Sequence, residues 1–370
     1  MAIIFDKNYA VTDLLTTGNS WIVEFHSNNA EMPTKATVLL LGTSFELAPD
    51  PSGKFTFDFK RFFNSTLNAD NFEDSENALD IGDSAYMRNP SNHHAAVTCV
   101  YQIDFAVSNP EGDFGSYSVK KAVYDPLQFE LGNQELDSIF DVLLPKVDGE
   151  YYARITPEQP FDISFFSNSS TDNVVVTNTV NSNTLVPNMT VGVCRMFLRD
   201  GFENSVPAMT LVDGMNRLTV VKAGIAEPFY INVFQEPSGC KSVLKWFNLE
   251  GGWSYFPFIH ETENIAAKTN DFIEKDYTSF DSFTSKTFST GSKLAKEMEH
   301  TAVRVPSNEV AAFKGLIASP KVYKRYTKAN GSTLWKEIYF KGGDTRLTQT
   351  GKNAFDFQLT TFQTENGYTL

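Results

Sequence analysis

Five histidines, three cysteines and 45 acidic side chains are the groups in this 370-residue chain best suited to chemistry. The histidines are His26, His93, His94, His260 and His300. None forms an H-x-x-x-H or H-E-x-x-H pair, the spacing that turns two imidazoles toward one zinc ion from a single helix face. His93-His94 is expected as a surface pair beside an acidic stretch, residues 65–94, which carries Asp70, Glu73, Asp74, Glu76, Asp80 and Asp83. A calcium loop needs its carboxylates at D-x-[DN]-x-[DN]-G spacing, and that spacing is missing. The expectation is a solvated loop, or a segment that orders against a partner.

The cysteines, Cys99, Cys194 and Cys240, are odd in number and lack a C-x-x-C partner, so they predict no disulfide framework. Cys99 lies in an apolar alternation and is expected to be a small buried hydrophobe. No G-x-S-x-G elbow offers a nucleophile. Gly251-Gly252 and Gly342-Gly343 lack both phosphate-cradling spacings. Two carboxylates for glycoside hydrolysis cannot be singled out by spacing. Sequence therefore assigns no catalytic residue, no cofactor and no metal.

The densest feature is aromatic. Lys241–Phe258 carries Trp246, Phe247, Trp253, Tyr255, Phe256 and Phe258 around Gly251-Gly252. Two aromatic runs flanking a glycine pair predict a β-hairpin, because glycine accepts the positive φ of tight turns. Trp246, Phe247, Gly251, Gly252, Trp253, Tyr255 and Phe258 are the candidates for packing or an interface. Trp246, Trp253 and Tyr255 could instead form a platform for stacking sugars, but core or interface is the favoured reading of such rings.

The elements around this stretch are mostly strands. Trp21–His26, Lys35–Leu41, Lys54–Phe59, Ala96–Phe105 and Tyr117–Tyr124 alternate or run apolar, and Lys60-Arg-Phe-Phe-Asn64 could start a helix. Residues 134–144 fit a helix or a loop-strand. Seven strands are expected between 149 and 240: Glu150–Ile155, Phe161–Phe166, Asn173–Val180, Val191–Leu198, Met209–Val212, Asn216–Val221 and Phe229–Phe234. Their spacing, with turn residues between, is that of a sandwich or barrel. Near the end, Ser307 is a fitting N-cap for a helix with Val310, Phe313, Leu316 and Ile317 on one face, closed by Pro320. Asn330-Gly331 predicts a hairpin. The predicted fold is mainly β, with multidomain antiparallel sandwich or barrel units and a small C-terminal α+β module. The predicted division is an N-terminal arm (1–20), a β domain (21–148), a second β domain ending in the aromatic hairpin (149–260), a strap-like linker (261–297) and a basic module (298–370).

Composition excludes several classes. With 41% hydrophobic residues, 14% aromatic and 32 Phe, the chain has ample material for a core and is not disordered. Its net charge of −14 argues against nucleic acid. The charge is uneven: residues 301–370 hold 10 Lys+Arg against 5 Asp+Glu, leaving 21 against 40 in residues 1–300. Such a split could dock one copy on the next. Met1–Asp6 lacks the basic start of a signal peptide, and no apolar run could span a membrane, so cytoplasmic synthesis is expected.

Leu244-Lys-Trp-Phe-Asn-Leu-Glu-Gly-Gly-Trp-Ser-Tyr-Phe-Pro-Phe258 resembles an L-K-W-x-N-x-x-G-G-x-x-Y-W-x-F pattern of virion structural proteins from tailed bacteriophages of Bacteroidetes hosts, crAss-like phages among them; it departs at Phe256-Pro257, where the pattern has Trp and a residue other than Pro. Gly53–Phe63, Ser319–Tyr323 and Phe355–Leu359 are similar too. The resemblance implies a non-enzymatic part of a tail, baseplate or head–tail ring, partnered by copies of itself and by other virion proteins. The alternatives are a carbohydrate- or receptor-binding β-sandwich and a glycoside hydrolase with cryptic carboxylates.

Overall fold

The computed structural model describes residues 2–9, 14–74, 87–88, 90, 93–123, 140–157, 159–170, 173–199, 209–236, 239, 242–269, 272–274, 287–289, 292–307, 309–327, 333–340 and 354–363. The protein is mainly β, built from several sheets. Two helices, Lys60–Leu67 and Val310–Ala318, occur among the described residues.

The N-terminal unit packs a three-stranded sheet (Ile3–Lys7, Ile22–Ser27, Lys54–Asp58) on a five-stranded one (Leu14–Thr16, Glu111–Lys120, His94–Asp104, Lys35–Leu40, Thr43–Leu47). Alternation sets its core: Val23 and Phe25 from one sheet meet Val38, Cys99, Tyr101 and Ile103 from the other. Helix Lys60–Leu67 closes this core with Phe62, Phe63 and Leu67. The expected arm is part of the unit. Ile3–Lys7 pairs with Ile22–Ser27, and Leu14–Thr16 runs parallel to Glu111–Lys120. The cause is burial: Ile3, Leu14 and Leu15 are apolar and covered, and the Trp21 indole donates to the Thr16 carbonyl at 2.6 Å.

The middle unit has a four-stranded sheet (Phe140–Val142, Phe161–Ser167, Gly192–Arg199, Met87–Arg88) and a six-stranded sheet (Lys146–Val147, Glu150–Ile155, Phe229–Gln235, Gly214–Lys222, Val174–Asn178, Asn183–Leu185). Met87–Arg88 and Phe140–Val142 thus pair across the expected boundary at 148. Residues 209–212 are not a strand, although Met209 and Leu211 are buried. The Asn216 amide replaces the ladder there: its Oδ1 accepts from Val212 N at 2.9 Å and its Nδ2 donates to Val212 O at 2.7 Å.

The C-terminal unit is one seven-stranded sheet, ordered Trp253–Phe258, Ser242–Phe247, Val322–Thr327, Thr333–Phe340, Ala354–Gln363, Ser292–Pro306, His260–Thr269. By pairing, the aromatic hairpin belongs to this sheet and not to the middle unit. Much of the expected linker is ladder. His260–Thr269 pairs with Ser292–Thr301, and Phe272–Glu274 pairs with Thr287–Ser289 in the same register. Tyr277, Phe280 and Phe283 of that stretch, Cys240, residues 134–139 and the Asn330-Gly331 turn lie outside the described residues.

The last helix starts at Val310, with Glu309 and not Ser307 in the capping position, and Glu309 makes no side-chain cap. Its carboxylate is taken instead by Arg154 of the middle unit, at 2.6 and 3.1 Å. Val310 and Leu316 are buried, but Ile317 is 44% exposed, off the expected apolar face.

Candidate functional site: a buried charge cluster beneath the central hairpin

All twelve residues of strands Ser242–Phe247 and Trp253–Phe258 are buried, because successive side chains point to opposite faces and both faces are covered. Leu244, Trp246, Phe256 and Phe258 enter the core of the C-terminal sheet. Val243, Phe247, Trp253 and Tyr255 enter the core of the middle unit. The hairpin therefore serves two cores, one on each face, which accounts for its aromatic content.

Its turn spans five residues, Asn248–Gly252, and is held by one side chain. Asn248 Oδ1 accepts from Gly252 N at 2.9 Å, while Nδ2 donates to Leu143 O at 2.9 Å and to Ser254 Oγ at 3.0 Å. A Cβ on Gly251 would overlap the Lys121 carbonyl oxygen, and one on Gly252 the Leu143 carbonyl oxygen. Gly251 also has φ +94°. The glycines permit the turn and, equally, let two other stretches of backbone press against it.

Under the hairpin lies a cluster with two carboxylates and two cations. Asp162 accepts from Arg195 Nε and Nη2, both at 2.9 Å. Arg195 Nη1 donates to Asp74 Oδ1 at 2.6 Å, and Lys245 Nζ donates to Asp74 Oδ2 at 2.7 Å. The Tyr255 hydroxyl donates to Asp162 Oδ1. Lys245 and Tyr255 face one another across the hairpin, whereas Asp162 and Arg195 come from adjacent strands of the four-stranded sheet. Asp74 arrives from the segment after helix Lys60–Leu67, so the cluster draws on all three units. Aromatic rings surround the ammonium: Trp335 at 4.6 Å, Trp253 at 5.1 Å and Tyr323 at 5.1 Å from Lys245 Nζ.

The electrostatics follow from burial and pairing. Burial alone would raise the Asp74 pKa, but Arg195 and Lys245 overturn it and hold the carboxyl well below its usual range. Burial lowers Lys245 despite its pairing with Asp74. Burial and the Asp162 charge raise Tyr255 well above an ordinary phenol. Each of these groups has a charged or hydrogen-bonding partner inside the cluster, a pattern that buried structural ion networks require.

The expectations for residues 65–94 are corrected in part: Asp74 is buried and paired, not solvated, and Asp70 pairs with the buried Lys121, whereas Glu73 is exposed and Glu76, Asp80 and Asp83 lie outside the described residues. The Phe72 ring of the same segment packs 5.2 Å from Phe247. Burying Lys121, Arg195 and Lys245 demands nearby carboxylates, and this segment supplies them. His93-His94 is not a surface pair either. His93 is 2% exposed, edge-on to the Phe247 ring at 5.8 Å. His94 is half-buried, with Nε2 2.8 Å from Ser118 Oγ.

Trp246, Phe247, Gly251, Gly252, Trp253, Tyr255 and Phe258 are thus brought to one place, all of them within the chain's own interior. Trp246 and Trp253 are 0% exposed and Tyr255 is 4%, and the two tryptophans lie on opposite faces of the hairpin, so these three rings form no sugar platform. Sequence reasoning passed over Asp162, Arg195 and Lys245. Their signal was a lone charge inside an apolar strand, as in Phe161-Asp-Ile-Ser-Phe-Phe166 and Val193-Cys-Arg-Met-Phe-Leu198. A second junction, Arg154 with Glu309 and Glu236, ties the middle unit to the last helix. Lys324 of the basic end pairs with Glu261 of the acidic remainder, so charges that the sequence divides between the two meet in part inside one chain.

Among the described residues, no group of three or more His, Cys, Asp or Glu is placed to hold a metal, and no helix is long and apolar enough to cross a membrane. No protein-family model matches the chain, and no curated protein matches it. Among solved structures it is similar to fibronectin(III)-like modules of Clostridium thermocellum CbhA, at 9% identity and TM-score 0.21 over 64% of this chain and 95% of that one. It is similar to the N-terminal Ig1-2 module of the Drosophila receptor protein tyrosine phosphatase DLAR, at 7% identity and TM-score 0.19 over 64% and 100%. It is also similar to SGBP-B of the Bacteroides ovatus mixed-linkage glucan utilization locus, at 11% identity and TM-score 0.19 over 96% and 73%. With TM-scores this low, none of them bears on what the chain does.

Proposed function

We propose that this chain is a non-catalytic structural subunit of a tailed-phage virion, assembling with copies of itself and with other virion proteins as a ring in the tail, baseplate or head–tail connector region. The observation that carries the reading is the cluster of Asp74, Asp162, Arg195 and Lys245. The most chemically capable side chains at the centre of the molecule are consumed in mutual pairing, beneath a hairpin with no exposed strand residue. An active site keeps such groups facing a substrate. A junction of this kind instead fixes three β units relative to one another, as a subunit transmitting position within an assembly requires. The hairpin that covers it is the stretch with the phage-like L-K-W-x-N-x-x-G-G pattern, so the motif and the junction coincide.

The test has two parts. Peptide mass spectrometry of purified particles from a phage encoding this chain is expected to find it at a fixed copy number per particle. Electron microscopy with a labelled antibody is expected to mark one position on the tail or its attachment. Absence from purified particles, with the chain present in infected cells, would refute the reading.

A further inference from the structure

His93 stands where the N-terminal unit meets the cluster. Its backbone is fixed on both sides: Lys121 N donates to His93 O at 2.9 Å, and His93 N donates to Pro90 O at 3.3 Å. Its ring lies against Phe247 of the hairpin, and its buried Nδ1 has no hydrogen-bond partner among the described residues. Among the described residues, three charged groups act on it through space. Lys121 comes from the stretch after Glu111–Lys120, Arg195 from strand Gly192–Arg199, and Asp74 from the segment after the first helix; strand Ser242–Phe247 presents the Phe247 ring. Both cations already have carboxylates, Lys121 with Asp70 and Arg195 with Asp74 and Asp162. Among the described residues, the site thus suits a neutral imidazole and offers an imidazolium no carboxylate that is not already paired.

We propose that His93 is an acid-sensitive latch: uptake of one proton from solvent by its ring releases the N-terminal unit from the central hairpin.

Burial first, then Lys121 and Arg195 with Asp74 opposing them, lower the closed-state pKa of His93 to about 3. An opened junction exposes the ring, whose ordinary value is about 6.5. Below that pH the open form binds more protons, so closure is complete above about 6.5 and weakens as pH falls toward 3, by up to about tenfold in the opening constant per pH unit. Two other histidines provide the comparison. His300, also buried, lies between Ser242 Oγ at 2.8 Å and Thr361 Oγ1 at 2.9 Å in the C-terminal sheet. His94 is partnered by Ser118 and packs on Phe166. Neither ring touches the Phe247 contact.

The experiment is hydrogen exchange with mass spectrometry on the full chain from pH 7.5 to 4.5, corrected for the intrinsic exchange rate, following peptides that cover residues 62–74 and 242–258. Opening of both regions is expected to rise at least about tenfold between pH 6.5 and 4.5 in the wild type. His93→Gln is expected to hold it within about threefold, and His300→Gln to keep the wild-type profile at residues 62–74. His93→Phe, which fills the same space beside Phe247, is measured alongside and is expected to behave as His93→Gln. A wild type with no pH-dependent opening overturns the proposal. So does a folded His93→Gln or His93→Phe chain that opens with the wild-type profile.

Discussion

Asp74→Asn keeps the shape of the side chain and deletes one charge at the centre of the molecule. The carboxylate it removes accepts from Arg195 at 2.6 Å and from Lys245 at 2.7 Å, at a buried position. Arg195 keeps Asp162, whereas Lys245 loses a carboxylate 2.7 Å from its ammonium. Breaking a buried pair from one side costs about 3–5 kcal/mol. The interior also has an escape that sets a ceiling: Lys245 can shed its proton, and neutralising an ordinary lysine at pH 7 costs about 4–5 kcal/mol. The two figures agree, so the loss is expected at about 3–5 kcal/mol. The pH signature follows from the same step. A lysine favoured as neutral in the folded state binds fewer protons there than in the unfolded chain, so stability rises with pH as the unfolded lysine approaches its own pKa. Wild-type Lys245 is already lowered by burial, and loss of Asp74 extends this window to lower pH. Urea unfolding followed by tryptophan fluorescence, at pH 7 and pH 9, measures both effects, since Trp253 and Trp335 ring the ammonium. The variant should regain stability between the two pH values by more than the wild type does, and adding Lys245→Met should recover at least half of the loss. A change under about 1 kcal/mol at pH 7, with no added pH dependence, would refute the view that this cluster is dry.

Gly252→Ala, whose Cβ would overlap Leu143 O, should cost about 1–3 kcal/mol or more through overpacking, whereas Gly149→Ala, with φ +82° but open space around it, should cost only about 1 kcal/mol; paired thermal melts compare them. Arg154→Leu leaves the Glu309 and Glu236 carboxylates without their guanidinium and is expected to cost about 3–5 kcal/mol, with Glu309→Gln in the same chain recovering part of it in denaturant titrations. His300 has its pKa lowered to about 3 by burial and by Lys324, so its contribution is complete above the ordinary value of about 6.5 and is lost as pH falls toward 3; His300→Gln should flatten that part of the stability profile in the C-terminal sheet, read as unfolding midpoint against pH.

Period-two alternation carried much of the fold. Val97, Cys99, Tyr101, Ile103 on one strand and Phe55, Phe57 on another fall on buried faces as their spacing predicts. The glycine pair and its aromatic flanks marked the hairpin. The cluster was hidden because its members are far apart: Asp74 lies 121 positions from Arg195 and 171 from Lys245. In a run of polar residues nothing local distinguishes Asp74 from Glu73. What buries it is the demand of two cations, Arg195 and Lys245, each flanked on its strand by apolar residues. Residues 1–20 and 261–297 misled for a related reason. Polar-rich strands such as His260–Thr269 owe their state to the neighbour they pair with, which local pattern does not reveal.

The turn at Asn248–Gly252 also dictates an order of events during synthesis. Its contact with Leu143 spans 105 residues, and the one between Lys245 and Asp74 spans 171. At about 5–20 residues per second, the ribosome delivers Leu143 and Asp74 many seconds before the residues that cover them. During that interval Arg195 can bind Asp74, but the hairpin face of both units stays bare. Nascent chains halted before Ser242 are therefore expected to be cut by protease near residue 74, and chains extended past Phe258 to resist. The seam between the first two units therefore closes late, so truncation between residues 240 and 258 is expected to leave the segment around Asp74, far back in the sequence, exposed.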